Sequence, residues 1–178
     1  MDDVYKIITP EEKHLPEMYR WNREEKNFNQ YTCRPIGQLK TYEEYKDKIL
    51  NSIKEGKDKL FILVKKTEPN IPLGRIKLFD YNPRNLSCEF GYYMPEKNRG
   101  IGLGSIMIKL LLAKSFMDKN MNLNKLYATT ASNNNPSIKA LEKAGFKLEG
   151  RLREHYWIHQ DKFDQLVYSI LRKEWNEK

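Results

Sequence analysis

The chain has 178 residues, enough to enclose a hydrophobic core without disulfides or metal staples, and a single domain over residues 1–178 is expected. Hydrophobic residues make up 39% and aromatics 12%, which excludes a disordered chain, and no run approaches the ~20 apolar residues that span a bilayer. With 32 basic against 24 acidic residues the net charge is +8, a balance that favours anionic partners without choosing among them, because the lysines are scattered and interleaved with acids.

The opening Met1-Asp2-Asp3-Val4-Tyr5-Lys6 has neither a basic nor an apolar leader segment, so a cytoplasmic location is expected. Val4 to Ile8 reads as a short strand. Thr9-Pro10-Glu11-Glu12 follows with an N-cap, a proline at the first helical position and a capping-box glutamate, so a helix should start there. Pro16 should break it early, leaving a bent or two-piece helix to about Phe28 with Leu15, Met18 and Trp21 facing inward. Asn29 to Lys40 is polar and irregular, a loop. Thr41-Tyr42-Glu43-Glu44 repeats the capping-box pattern, and Tyr42, Tyr45, Ile49 and Ile53 keep helical spacing until Gly56 stops the helix.

Leu60 to Val64 is a buried-strand run, followed after a turn at Glu68-Pro69-Asn70 by a second strand from Leu73 to Phe79. A third strand, Cys88 to Met94, completes a meander. Ser105 to Met117 is apolar on most sides and reads as a central, well-covered helix. Leu126 to Thr130 is a strand, Pro136 to Ala144 a helix ended by Gly145, and Phe146 to Ile158 with Phe163 to Leu171 a final hairpin. This order suits an α/β (α+β) domain on a mixed sheet. Cys33 and Cys88 lack the spacing of a metal site or a disulfide pair and are expected as buried thiols, with no metal bound.

Chemistry concentrates where the third strand ends, in Tyr92-Tyr93-Met94-Pro95-Glu96-Lys97-Asn98-Arg99-Gly100-Ile101-Gly102-Leu103-Gly104-Ser105. A glycine-rich turn lets the backbone approach a ligand closely, and the N–H groups and positive dipole end of the following helix suit a pyrophosphate. The Walker pattern is absent, and the Rossmann pattern fails because Ser105 occupies the third glycine position and the preceding strands form a meander.

Here the chain resembles the GNAT acetyltransferase superfamily, whose cofactor motif [QR]-x-x-G-x-[GA] is matched by Arg99, Gly102 and Gly104. Asn134-Asn135-Pro136-Ser137 is similar to the family's N-x-x-[SA], and Glu142-Lys143-Ala144-Gly145-Phe146 to its helix-ending E-K-x-G-F. The resemblance implies about seven strands flanked by about four helices, with a V-shaped opening between the strands near 88–94 and 126–130 that takes the pantetheine of acetyl-CoA. The main chain of Tyr92, Tyr93 and Met94 would pair with pantetheine, Arg99 would open the cofactor-binding run, the N–H groups of Gly100, Ile101, Gly102, Leu103, Gly104 and Ser105 would hold the pyrophosphate, and Asn134 would contact the pantetheine or a nearby loop. A simple N-cap is the other reading of Asn134.

The resemblance also implies Glu89 as general base, against the alternative of an ordinary strand carboxylate or ion-pair partner. The tyrosine that many members use as acid is replaced by Leu141. That departure shifts the resemblance toward the Rim-type N-terminal acetyltransferases, where Ser137 would serve as donor, or else be a plain helix-turn residue. The expected acceptor is a protein or peptide N-terminus. Alternatives are a polyamine or aminoglycoside, in line with spermidine-type features in Arg151-Leu152-Arg153 and Asp164, or a non-catalytic CoA- or RNA-binding module. No membrane or specific nucleic-acid partner is expected, and the final hairpin would permit a homodimer.

Overall fold

The computed structural model describes residues 2–26, 41–56 and 59–176; the expectations placed on Phe28, Asn29 to Lys40 and Cys33 lie outside them. Strands β1 (Tyr5–Ile8), β2 (Lys59–Lys65), β3 (Gly74–Asn82), β4 (Ser87–Tyr93), β5 (Lys125–Ala131), β6 (Lys147–Ile158) and β7 (Asp161–Leu171) form one sheet. Their order is β1-β2-β3-β4-β5-β7-β6. The meander and the final hairpin are antiparallel, and β4 with β5 is the parallel pair. A parallel neighbour needs a crossover, and the helix that follows the glycine turn supplies it.

Helices α1 (Leu15–Glu24), α2 (Tyr42–Glu55), α3 (Leu103–Met117), α4 (Asn135–Ala144) and α5 (Arg172–Asn176) flank this sheet. Alternation along β2 shows the layering: Leu60, Ile62 and Val64 pack with Leu15, Met18, Trp21 and Tyr45, while Phe61 and Leu63 pack with Met107, Ile108, Leu111 and Leu112 of α3. A strand buried on both faces reads as a continuous apolar run, which is how it stood out in the sequence. α3 lies in the larger cluster and is buried at seven positions along its length, as its composition implied.

One local expectation is corrected. The first helical turn begins after Glu11 rather than Thr9, because the imidazole of His14 accepts from Glu11 N–H at 2.9 Å and closes the cap from three residues ahead. The buried His14 ring is then anchored by the Pro69 carbonyl, 3.1 Å away. The two-piece helix expected around Pro16 is present: a 3-10 turn, Glu12–His14, runs into α1, and Pro16 sits in the first turn of α1, where its missing N–H is not needed. The described residues hold five α-helices, in keeping with the expected flank of about four and one more. The extra one, α5, has five residues, too few to show a period, and is held by Arg172 Nε donating to the Leu123 carbonyl at 2.6 Å and by Trp175 against Phe116. The capping box at Thr41 forms as read: Glu44 N–H donates to Thr41 Oγ1 at 3.2 Å and Thr41 N–H to Glu44 Oε2 at 3.1 Å.

Candidate active site

Pairing between β4 and β5 is confined to Ser87, Cys88 and Glu89 against Lys125, Leu126 and Tyr127. Beyond that point β4 stays with β3 through Tyr93, and β5 stays with β7 through Ala131, so the two strands part. The expected V-shaped opening is therefore present and starts at Glu89.

The glycine turn closes one end of this opening. From Pro95 the chain makes a short turn, Glu96–Asn98, then runs extended at Arg99. Gly100 and Gly102 follow with φ of 76° and 86°, and a Cβ at either position would meet nothing within 4 Å. The glycines are thus required by the left-handed backbone rather than by crowding. Gly102 is the N-cap of α3, and the first intrahelical bond is donated by Ile106 to the Gly102 carbonyl at 3.2 Å. The N–H groups of Leu103, Gly104 and Ser105 precede it at the positive end of a helix of 15 residues.

The side chain of Arg99 is turned toward the end of α1. Its Nε donates to the Met94 carbonyl at 2.8 Å and its guanidinium is paired with Glu25, whose side chain is only 4% exposed. Tyr93 donates its hydroxyl to the same carboxylate at 3.0 Å; burial and then this carboxylate raise the phenol's pKa, so it stays protonated. Arg99 therefore braces the turn against the end of α1, and its own N–H donates to the Glu96 carbonyl at 3.1 Å. Lys97 makes a parallel tie, donating to Glu17 Oε1 at 2.7 Å.

Burial alone would raise the pKa of Glu17, but hydrogen bonds from Lys97, Arg20 and Trp21 outweigh it and lower the value from 4.5 to about 2. A carboxylate held below its unfolded pKa stabilises the fold above pH 4.5 and loses that contribution as the pH falls toward 2. Glu17→Gln should therefore cost about 1–2 kcal/mol at neutral pH, with the difference from the parent closing near the acid limit, as read by urea unfolding across pH.

The candidate catalytic residues fall on opposite faces of the sheet. Glu89, Gly91 and Tyr93 face the α1 and α2 layer, shown by Trp21 lying 6.1 Å from the Tyr93 ring. Phe90 and Tyr92 face the α3 and α4 layer, shown by Phe90 lying 5.4 Å from Phe146. Glu89 is buried at 7% exposure where the strands part, and its Oε1 accepts from Thr129 Oγ1 at 3.1 Å. Ser137 sits in the first turn of α4, its N–H donating to Asn134 Oδ1 at 3.3 Å, so Asn134 does serve as the N-cap. The hydroxyl of Ser137 accepts from Tyr92, 3.3 Å away.

Sequence reasoning did not reach three of these features. Thr129 could have been found from its alternation with Leu126 and Ala128 on β5. Glu25 and the Tyr92 hydroxyl had no local signal, because their partners are 74 and 45 residues away.

A cavity of about 370 Å³ opens beside Trp21, Glu24, Glu25, Tyr93 and Glu96, on the face that carries Glu89. No group of three or more His, Cys, Asp or Glu among the described residues is placed to hold a metal ion. No helix among them is long and apolar enough to cross a membrane.

Residues 6–147 match a family model described as an acetyltransferase (GNAT) domain. The chain is 33% identical over 120 residues to the SPbeta prophage-derived uncharacterized N-acetyltransferase YokL of Bacillus subtilis (strain 168), a match covering 66% of this chain and 65% of that protein. It thus spans less than two thirds of that relative's length. The fold is shared with spermidine N-acetyltransferase from Vibrio cholerae, solved in complex with CoA and spermine, at a TM-score of 0.84 and 20% identity over 98% of this chain and 99% of that one. It is shared also with RimL, a ribosomal L7/L12 alpha-N-protein acetyltransferase solved with CoA, at a TM-score of 0.81 and 18% identity over 96% of this chain and 95% of that one.

Proposed function

The chain belongs to the GNAT acetyltransferase family, and from that premise we propose that it transfers the acetyl group of acetyl-CoA to a primary amine by direct attack. The observation that carries this reading is the opening that begins at Glu89 and runs toward the N-terminus of α3. Its parts fit the cofactor chemically. An extended amide chain such as pantetheine can lie along β4 at Tyr92, Tyr93 and Met94 as an added strand, and the N–H groups from Gly100 to Ser105 suit a pyrophosphate. Arg99 serves by holding this turn in place, and Asn134 by capping α4 beside it.

When bound, acetyl-CoA supplies an activated thioester. The protein's own work is then to position the amine, take its proton and stabilise the charge that moves to oxygen and sulfur. Glu89, buried and facing the acceptor side, takes the proton directly or through one water. Ser137, on the opposite face at the start of a helix, donates a hydrogen bond to the departing sulfur. Leu141 is fully buried in the core, so the position that usually carries the acid in this family contributes packing instead.

For the acceptor, a peptide or protein α-amino group is the first reading, because at a pKa of about 7.7–8 it needs little help from one buried carboxylate. The cavity beside Trp21 and Tyr93 favours a second, since its aromatic faces with the carboxylates of Glu24 and Glu96 suit an alkyl polyamine cation, Lys97 on its wall being tied to Glu17. The test is acetyl-dependent release of the CoA thiol in the presence of short peptides with free N-termini or of spermidine. Release with peptides alone supports the first acceptor and release with spermidine alone the second. CoA binding without release from either class would leave a CoA-binding module and overturn the transferase reading.

A further inference from the structure

Tyr92 entered the site for its main chain, but its side chain has a partner of its own. The ring lies along the first turn of α3, where a Cβ on Gly104 would stand 3.6 Å from Cε2. From there its hydroxyl reaches across to α4 and meets Ser137 Oγ at 3.3 Å. A phenol is a stronger acid than an aliphatic alcohol, so the phenol donates and the serine oxygen accepts. Burial pushes the Tyr92 phenol above its ordinary pKa, which keeps that proton in place throughout the neutral range. Ser137 is fixed from behind by Asn134, whose Oδ1 takes its N–H.

A serine hydroxyl has one proton and can accept on its oxygen at the same time. With Tyr92 donating to the oxygen, the proton of Ser137 is turned away from Tyr92. We propose that Tyr92 is a positioning residue that orients the Ser137 hydroxyl toward the sulfur leaving the thioester. The proposal rests on the reading of Ser137 given above. In the step it serves, the C–S bond breaks and its electron pair goes to sulfur. The new C–N bond forms from the amine lone pair, and the amine proton passes to Glu89. The sulfur, as thiolate, accepts the Ser137 hydrogen bond and is protonated from water on release. The Tyr92 side chain keeps its proton and touches neither the sulfur nor the reacting carbonyl.

The test compares Tyr92→Phe, Ser137→Ala and the double variant. Tyr92→Phe keeps the ring against Gly104 and removes only the donor. Three quantities are read: kcat and KM for acetyl-CoA, the pH dependence of affinity for free CoA, and thermal unfolding without ligand. Tyr92→Phe should lower kcat about tenfold with KM for acetyl-CoA within about twofold and an unchanged unfolding temperature. The bound CoA thiol should titrate at higher pH than in the parent, because the thiolate has lost an oriented donor. The double variant should be no worse than Ser137→Ala, since both changes remove one device.

Multiplicative effects in the double variant would overturn the proposal, as would a fall in kcat for Tyr92→Phe when Ser137→Ala has none. If Ser137→Ala alters neither kcat nor the thiol titration, the donor reading of Ser137 fails and Tyr92 falls with it. The parent's CoA binding and acetyl release would still stand in that case, so the two failures are distinguishable.

Discussion

Gly102→Asp is expected to lose about 10²–10³-fold in affinity for CoA while the protein folds as before. The substitution adds one carboxylate at the N-cap of α3, where nothing within 4 Å would be struck by a Cβ. Left-handed φ at 86° costs a non-glycine residue about 1–2 kcal/mol, but aspartate is among the residues that tolerate it. Aspartate is also a preferred N-cap, a role worth about 1 kcal/mol in the opposite direction. Stability should therefore change little. The ligand fares differently: the introduced carboxylate takes the N–H groups that a pyrophosphate would use, and two like charges about 4 Å apart near a surface repel by about 4 kcal/mol. Calorimetric titration of CoA into parent and variant reads the loss, and thermal unfolding without ligand reads the fold. An unimpaired titration would remove the glycine turn from the site and with it the proposed cofactor geometry.

Glu89→Gln should lower kcat/KM by about 10²–10³-fold for an alkyl amine and by less for a peptide N-terminus. Glutamine preserves the size of the buried side chain and can still accept from Thr129, so the loss measures the base and not the packing. The contrast between acceptors follows from their own pKa values. An alkyl ammonium near 10.4 costs roughly 3–4 kcal/mol more to deprotonate at pH 7 than a peptide α-amine near 7.7–8, so it depends more on a positioned base. For the same reason, raising the pH should restore much of the variant's rate with the peptide acceptor. Steady-state rates for both acceptors across pH check this. An unchanged rate with both would leave Glu89 as a buried strand carboxylate tied to Thr129 and would direct the search for the base elsewhere.

The two expectations differ in how they could be foreseen. The glycine turn was legible from Arg99-Gly100-Ile101-Gly102-Leu103-Gly104 alone, and the structure adds that Gly100 and Gly102 are left-handed, a conformation glycine adopts without strain. The Thr41 cap, the Gly56 and Gly145 helix ends and the apolar run of β2 were legible on the same ground. The start of the first helix was misread for a related reason. Thr9-Pro10 carried a strong local signal, but a histidine three residues beyond Glu11 closes the cap, and histidine is not among the usual capping residues.

Legible in the residues alone were the order of the main elements, the glycine turn at the head of α3 and the glycine ends of α2 and α4, since each depends on conformational preferences within about four residues. The tertiary structure decided where β4 and β5 part, because that point depends on the register of two strands nearly forty positions apart in the chain. It also decided that the Arg99 guanidinium is spent on Glu25 and that the Tyr92 hydroxyl reaches Ser137. A motif specifies which groups are available. Only the packing of one layer against another specifies which of them meet.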